Sequence, residues 1–305
     1  MWPHGVHKGI GLWGDRLLAE GRMISDGQIN RHKPRMDDRA SMASPLGAAI
    51  SQADRDTLAM VRSALETGRL RLAYQPVVLG SDPHKIAFHE GLIRVLEPSG
   101  RIIPARDFVT VVEDTEMGRL IDCAALDIGL KALHHHPELR LSVNMSARSI
   151  GYPQWMRTLK RGLNASPTIG ERLILEITES SAMQVPELVI AFMDQLQDQG
   201  VAFALDDFGA GMTAFRYFKD FQFDIVKIDG QFIRGIHADA DNQVLTLALA
   251  SIGRHFDMVI VAEQVEEVAD AEWLRAKGID CLQGYLFGAP SVKPDWLKKP
   301  VRKAG

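Results

Sequence analysis

Several apolar runs in this chain end on groups that an apolar core would reject. Asn144 closes one run, Glu176 and Glu179 lie at the end of another, and Asp206 and Asp207 close a third. Lys227 and Asp229 share the next, Glu263 and Gln283 close two more, and Glu90 sits inside an earlier one. A single buried carboxylate reads equally well as an ion-pair partner. A set of Glu90, Glu176, Asp206 and Glu263 exceeds what Lys227 alone can neutralise. Close carboxylates repel and raise at least one pKa unless a cation intervenes. Oxygen-rich, cysteine-free ligation suits a hard cation such as Mg2+ or Mn2+. Two such ions activate water and hold the attacking and leaving oxygens of a phosphoryl centre, and a lysine among them can orient that water. The chemistry is metal-assisted hydrolysis; it names no substrate.

The elements that would converge these groups are short and regular. Apolar runs recur at 70–78, 86–95, 140–144, 172–178, 202–206, 224–229, 258–263 and 279–283. Helical spacing fills 119–135, 152–163, 186–199, 231–254 and 268–277 between most of them. Strands alternating with helices predict a TIM-like (β/α)8 barrel, an α/β fold whose strand C-termini meet at one mouth. Only residues 79–85 join the first run to the second, with Gly80, Asp82 and Pro83 among them. A parallel crossover needs a dozen residues or more, so the first strand should run reversed. Helical spacing at Leu58, Val61 and Leu65, stopped by Gly68, precedes the barrel.

Composition excludes several classes. The chain has 305 residues, 46% hydrophobic and 24% charged, with a formal charge of −4. That balance offers no footprint for duplex nucleic acid. Its longest apolar stretch, near 244–252, is about half of a membrane span, so no membrane segment is expected. Cys123 and Cys281 match no metal or redox spacing, and a cytoplasmic location is the simple reading. Residues 1–50 read as a flexible arm with one short helix near 17–23, residues 51–295 as the barrel, and 296–305 as a tail.

Local motifs then carry a resemblance. Tyr74-Gln75-Pro76-Val77, Glu90-Gly91-Leu92-Ile93-Arg94, Val143-Asn144-Met145-Ser146 and Glu176-Ile177-Thr178-Glu179 follow one another in order. Asp206-Asp207-Phe208-Gly209-Ala210-Gly211, Lys227-Ile228-Asp229, Ala262-Glu263-Gln264-Val265-Glu266 and Gln283-Gly284-Tyr285 complete the series. Over 70–290 the chain resembles the EAL domain family of cyclic di-GMP phosphodiesterases. The resemblance implies that Glu90, Asn144, Glu176 and Asp206 ligate a first Mg2+ or Mn2+, and that Asp206 and Asp207 reach a second. It places Glu263 in the metal and water shell and Lys227 on the nucleophilic water. Gln75, Leu92, Arg94 and Gln283 would hold cyclic di-GMP, Glu179 would brace the 207–213 loop, and Glu266 would stand behind the site. Ca2+ should inhibit, the product should be linear pGpG, and a homodimer should form through an aromatic helix at 215–221. The alternative from another class is a receptor that holds cyclic di-GMP without cutting it, which usually lacks a metal ligand or the lysine. A different metal-dependent barrel hydrolase is the third reading.

Departures from the family pattern leave these ligands intact. Gly91 stands in place of Ala, at a cost of roughly 0.5–1 kcal/mol in backbone freedom. Val95 stands where Trp is common, Ala210 replaces Thr, and Met212-Thr213-Ala214-Phe215 differs from the usual loop. Those changes bear on loop coupling. His134-His135-His136 points three ways from a helix end before Pro137 and reads as solvated. Gly209–Gly211 lacks the lysine of a phosphate-binding loop.

Overall fold

The computed structural model describes residues 45–211 and 215–297. The arm expected over 1–50, with its helix near 17–23, lies outside the described residues except where helix α1 (Pro45–Glu66) begins inside it. The tail expected over 296–305 lies outside them beyond a 3-10 turn at Asp295–Leu297. Described residues from Ala49 onward belong to one compact unit.

Helix α1 buries Val61 and Ala64 against Leu70, Val95 and Phe108. It ends where Gly68 turns to a φ of 65°, a conformation that costs glycine little. Strands follow as β1 (Leu70–Leu79), β2 (Ile86–Leu96), β3 (Ile102–Pro104), β4 (Leu141–Asn144), β5 (Leu173–Thr178), β6 (Ala202–Phe208), β7 (Ile225–Ile228), β8 (Val259–Ala262) and β9 (Cys281–Gln283). The helices among them are α2 (Val109–Val112), α3 (Glu116–His135), α4 (Pro153–Ala165), α5 (Glu179–Gln184), α6 (Pro186–Gln197), α7 (Ala240–His255) and α8 (Val268–Ala276).

The sheet order is β1-β9-β8-β7-β6-β5-β4-β2-β3, and β1 also pairs with β2, so the sheet closes and β3 hangs outside it. Strand β1 is antiparallel to both its neighbours, with Leu70 opposite Val95 and Val77 opposite Gln283. Pairs from β2–β4 through β8–β9 are parallel. The expected barrel with a reversed first strand is what forms.

Period-two alternation builds the inside of the barrel in layers. Val77, Phe88, Ile174, Ala204, Ile225, Val261 and Cys281 form one buried apolar cluster. Each lies two residues from a polar group on its own strand or, for Glu263, one residue past the end of β8: Gln75, Glu90, Glu176, Asp206, Lys227, Glu263 and Gln283 respectively. The polar ring is therefore the next pleat above an apolar floor, pointing inward for the same geometric reason.

Some expectations need correcting. Strand β3 was not foreseen, because three residues carry too little periodicity. The helix expected over 231–254 starts only at Ala240, where Asp239 caps it by accepting from the Asp241 and Asn242 amides at 3.1 and 3.0 Å. Gly235, at a φ of 68°, ends any earlier helical path. The short α5 was also missed. The aromatic helix expected over 215–221 is a single 3-10 turn, Phe215–Lys219. Phe218 and Phe221 face the core, 1% and 4% exposed, so they offer no aromatic surface. Met212, Thr213 and Ala214 lie outside the described residues. His134 and His135 are exposed at the end of α3, as expected. Among the described residues no helix is long and apolar enough to cross a membrane.

Candidate active site at the barrel mouth

Lys227 sits at the centre of the polar ring. Its Nζ lies 2.7 Å from Glu263 Oε1, 3.0 Å from Asp206 Oδ1, 3.1 Å from Glu176 Oε2 and 3.5 Å from Glu90 Oε2. An ammonium this deeply buried is tolerable only with such partners. Around it, Asn144 Nδ2 donates to Glu90 Oε1 at 2.9 Å and Gln283 Nε2 donates to Glu90 Oε2 at 2.5 Å. Gln283 also reaches Gln75 Oε1 at 3.3 Å, and Gln75 donates to the Gly288 carbonyl at 3.1 Å.

Neighbouring residues of a strand normally point to opposite faces, yet Asp206 and Asp207 both reach the mouth. The register between β6 and β7 shifts between Leu205 and Phe208, and Asp207 takes a φ of 56°. Such a bulge re-aims a side chain. The turn after it is held by Glu179, whose Oε2 accepts from the Gly209 amide at 3.0 Å.

Burial and the neighbouring charges shift three of the carboxylates around Lys227, namely Glu90, Glu176 and Glu263. Burial pushes the Glu176 carboxyl up to about 8, assisted by the charges of Glu90 and Asp206 and opposed by Lys227. Burial, with Asp206 and Glu90, also holds Glu263 well above the usual carboxylate range. Glu90 ends below it: burial raises it, but Lys227 and the bonds from Gln283 and Asn144 outweigh that. Asp207 is pushed up to about 6 by burial and by Asp206. Burial works against the Lys227 charge, and the carboxylates carry it well above an ordinary lysine.

This donor set fits a hard cation. Glu90, Glu176 and Asp206 can each offer an oxygen within 4.8 Å of the others, and so can Asp206, Asp207 and Glu263. Glu176 Oε1 is buried without a hydrogen-bond partner. Asp206 Oδ1, although 3.0 Å from Nζ, is out of line for a hydrogen bond. Added positive charge would answer both orphaned oxygens and the excess of carboxylates.

A cavity of about 600 Å³ opens above the ring, lined by Gln75, Glu90, Leu92, Arg94, Asp206, Asp207, Glu263, Glu266 and Gln283. Asn144 lines an adjoining cavity of about 470 Å³ that shares Glu90, Leu92, Asp206 and Asp207. The residues expected at the site thus converge, apart from Glu179, which stands behind the bulge. Reading the sequence missed Arg106, Arg234, Gln264 and Tyr285 on the wall of the larger cavity. They sit on loops, which carry no periodicity; only their place after β3, β7, β8 and β9 could have flagged them. His237, Glu267 and Asp270 form another cluster, also unforeseen. There Asp270 is already satisfied by the Gly235 and His237 amides at 3.0 and 3.1 Å, a loop brace.

Comparison with known proteins gives the arrangement its relatives. The family model described as "EAL domain" matches residues 58–290. The bifunctional diguanylate cyclase/cyclic di-GMP phosphodiesterase MucR of Pseudomonas aeruginosa is 32% identical over 235 residues, 75% of this chain and 34% of MucR. The cyclic di-GMP phosphodiesterase PdeR of Escherichia coli is 28% identical over 251 residues, 80% of this chain and 38% of PdeR. The chain therefore spans little more than a third of these curated relatives. Among solved structures, the PaMucR phosphodiesterase in complex with c-di-GMP superposes with a TM-score of 0.71 at 31% identity, covering 77% of this chain and 97% of that one. The Pseudomonas aeruginosa FimX EAL domain bound to c-di-GMP gives 0.70 at 26% identity, covering 78% and 97%.

Proposed function

This chain belongs to the EAL domain family, and on that footing we propose that it is a phosphodiesterase that hydrolyses cyclic di-GMP to linear pGpG with Mg2+ or Mn2+. The observation that carries the reading is the Lys227 cluster. Four acidic residues meet one ammonium within 3.5 Å, at the floor of a cavity walled by Gln75, Leu92, Arg94 and Gln283.

Glu90, Asn144, Glu176 and Asp206 would hold one ion, Asp206 and Asp207 the second, with Glu263 beside them. When bound, such ions supply charge that activates water and stabilises the phosphoryl oxygens. In hydrolysis the water oxygen bonds to phosphorus, one P–O ester bond breaks, and the water's protons end on product and solvent. The surrounding carboxylates favour the charged form of Lys227, so it would act as a donor that orients the water and not as a base. Arg94 offers a charge-assisted bond to a phosphate. Glu90 is fixed in orientation by Asn144 and Gln283 at 2.9 and 2.5 Å, so positioning costs little at the moment of reaction.

A homodimer belongs to the same proposal. Its contact must avoid Phe218 and Phe221, which pack in the core, and sedimentation of the purified protein checks it. The activity itself is tested by incubating purified protein and cyclic di-GMP with Mg2+, with Mn2+ or with chelator, separating products by chromatography. Metal-dependent pGpG is expected. Tight binding without turnover would instead support the receptor reading.

A further inference from the structure

Gln264 and Gly230 fit each other in a way the catalytic ring does not require. Gln264 follows Glu263 at the end of β8 and holds a φ of 55°, the left-handed region that residues with a side chain rarely adopt. Its side chain lies against Gly230, on the loop after β7. A Cβ built at Gly230 would fall 2.6 Å from Gln264 Cβ and closer still to its amide. The glutamine therefore occupies space that exists only because residue 230 has no side chain. From the same loop, Arg234 Nη2 donates to Gln264 Oε1. That bond fixes the amide, since its oxygen is engaged and its Nε2 has no acceptor among the described residues. Strain of this kind persists where the surroundings over-determine it, and such places cluster at ligand sites.

Both side chains line the larger cavity, together with Tyr285, a residue 59% exposed. Between the loops of β7 and β8 and strand β2, which carries Arg94, stand β9 and β1. Arg234 and Gln264 thus offer N–H donors from the side of the mouth away from Arg94. Phosphate already has Arg94 and the metal-binding ring. A planar donor pair beside an exposed aromatic ring suits the flat edge of a base better than a tetrahedral anion. Guanine presents two adjacent acceptors, O6 and N7, on one edge, whereas adenine replaces the first with an amino donor.

We infer that Arg234 and Gln264, seated by Gly230, are a specificity device that reads the O6/N7 edge of one guanine. The inference rests on the proposed substrate. The experiment compares cyclic di-GMP with cyclic di-AMP, by calorimetric Kd and by KM and kcat, in the unaltered protein and in Gln264→Gly, Arg234→Ala and Gly230→Ala. Each variant should lose about tenfold in its preference for the guanine ligand, mostly through KM. Gly230→Ala should do so with Gln264 still present, by displacing its side chain together with the backbone that carries its Cβ. Gln264→Gly should keep or raise Tm, because glycine takes the left-handed backbone freely, and this separates lost recognition from lost folding. An unchanged preference in variants that keep their Tm overturns the inference and leaves the substrate standing. So does an equal loss for both ligands, the result of a phosphate contact. Failure of the unaltered protein to bind or cut cyclic di-GMP overturns the substrate reading and this inference with it.

Discussion

Lys227 of β7 reaches past β6 to Glu176 of β5, with Nζ 3.1 Å from Oε2 and the two side chains 1% and 0% exposed. Lys227 is the ammonium that answers the fully buried Glu176 carboxylate, and removing it would leave that charge uncompensated. Lys227→Ala should cut kcat at least about 100-fold while the Kd for cyclic di-GMP stays within about tenfold, the pattern of an interaction made mainly in the transition state. It should also lower Tm in chelator, where the carboxylates lose their ammonium, and Mn2+ should recover part of that loss. Affinity collapsing in step with activity would make the lysine a binding residue.

Glu90→Ala and Asp206→Asn should each abolish hydrolysis through lost cation binding, because both oxygens belong to the set within 4.8 Å that can share an ion. Metal titration followed by calorimetry checks the cause. Calcium as the only divalent ion should support little turnover, since its longer and looser coordination misplaces the water. Full activity in chelator, or with calcium alone, counts against the proposed metal site.

Glu179 acts at one remove from the ring. It is buried on α5 and accepts from the Gly209 amide at 3.0 Å, holding the turn after Asp207. Glu179→Ala should raise the Mg2+ concentration needed for half-maximal activity, on the order of tenfold if about 1.4 kcal/mol of positioning is lost. Glu179→Gln keeps an acceptor and should recover most of it. An equal defect in both variants would show that charge, and not the bond to Gly209, is what matters.

The legible parts of this protein are those that obey a period. The barrel and its reversed strand follow from eight apolar runs and one short connection, and the ring residues follow from sitting one pleat above an apolar layer. What was not legible lacks a period. Strand β3 has three residues, and the split before α7 depends on Gly235 and the Asp239 cap. The burial of Phe218 could not be told from an exposed aromatic face, because a five-residue turn shows no alternation. Arg234 and Gln264 were invisible for a different reason. Their place depends on a positive φ and on the missing side chain of Gly230, neither of which any spacing announces.

Asp122 of α3 offers a test that leaves the ring alone. Its Oδ2 accepts from the Ser146 amide at 3.0 Å and from Ser149 Oγ at 2.6 Å, tying down the turn that follows Asn144. Burial pushes its carboxyl up to about 6 from 3.8, against the pull of those two bonds. The sign is the reverse of a salt-bridged aspartate. Between pH 3.8 and about 6 the folded state binds more protons than the unfolded chain, so stability falls as pH rises through that window. Above it the cost is complete, no more than about 1–3 kcal/mol given the partial exposure of the residue. Asp122→Asn retains an acceptor and cannot ionise. Its stability relative to the unaltered protein should therefore improve between pH 5 and pH 8, by on the order of 1 kcal/mol in urea unfolding. A difference that is constant with pH would show that Asp122 titrates normally in the fold. A variant that loses ground at pH 8 would show that the charged form is the one the Ser146–Ser149 turn prefers.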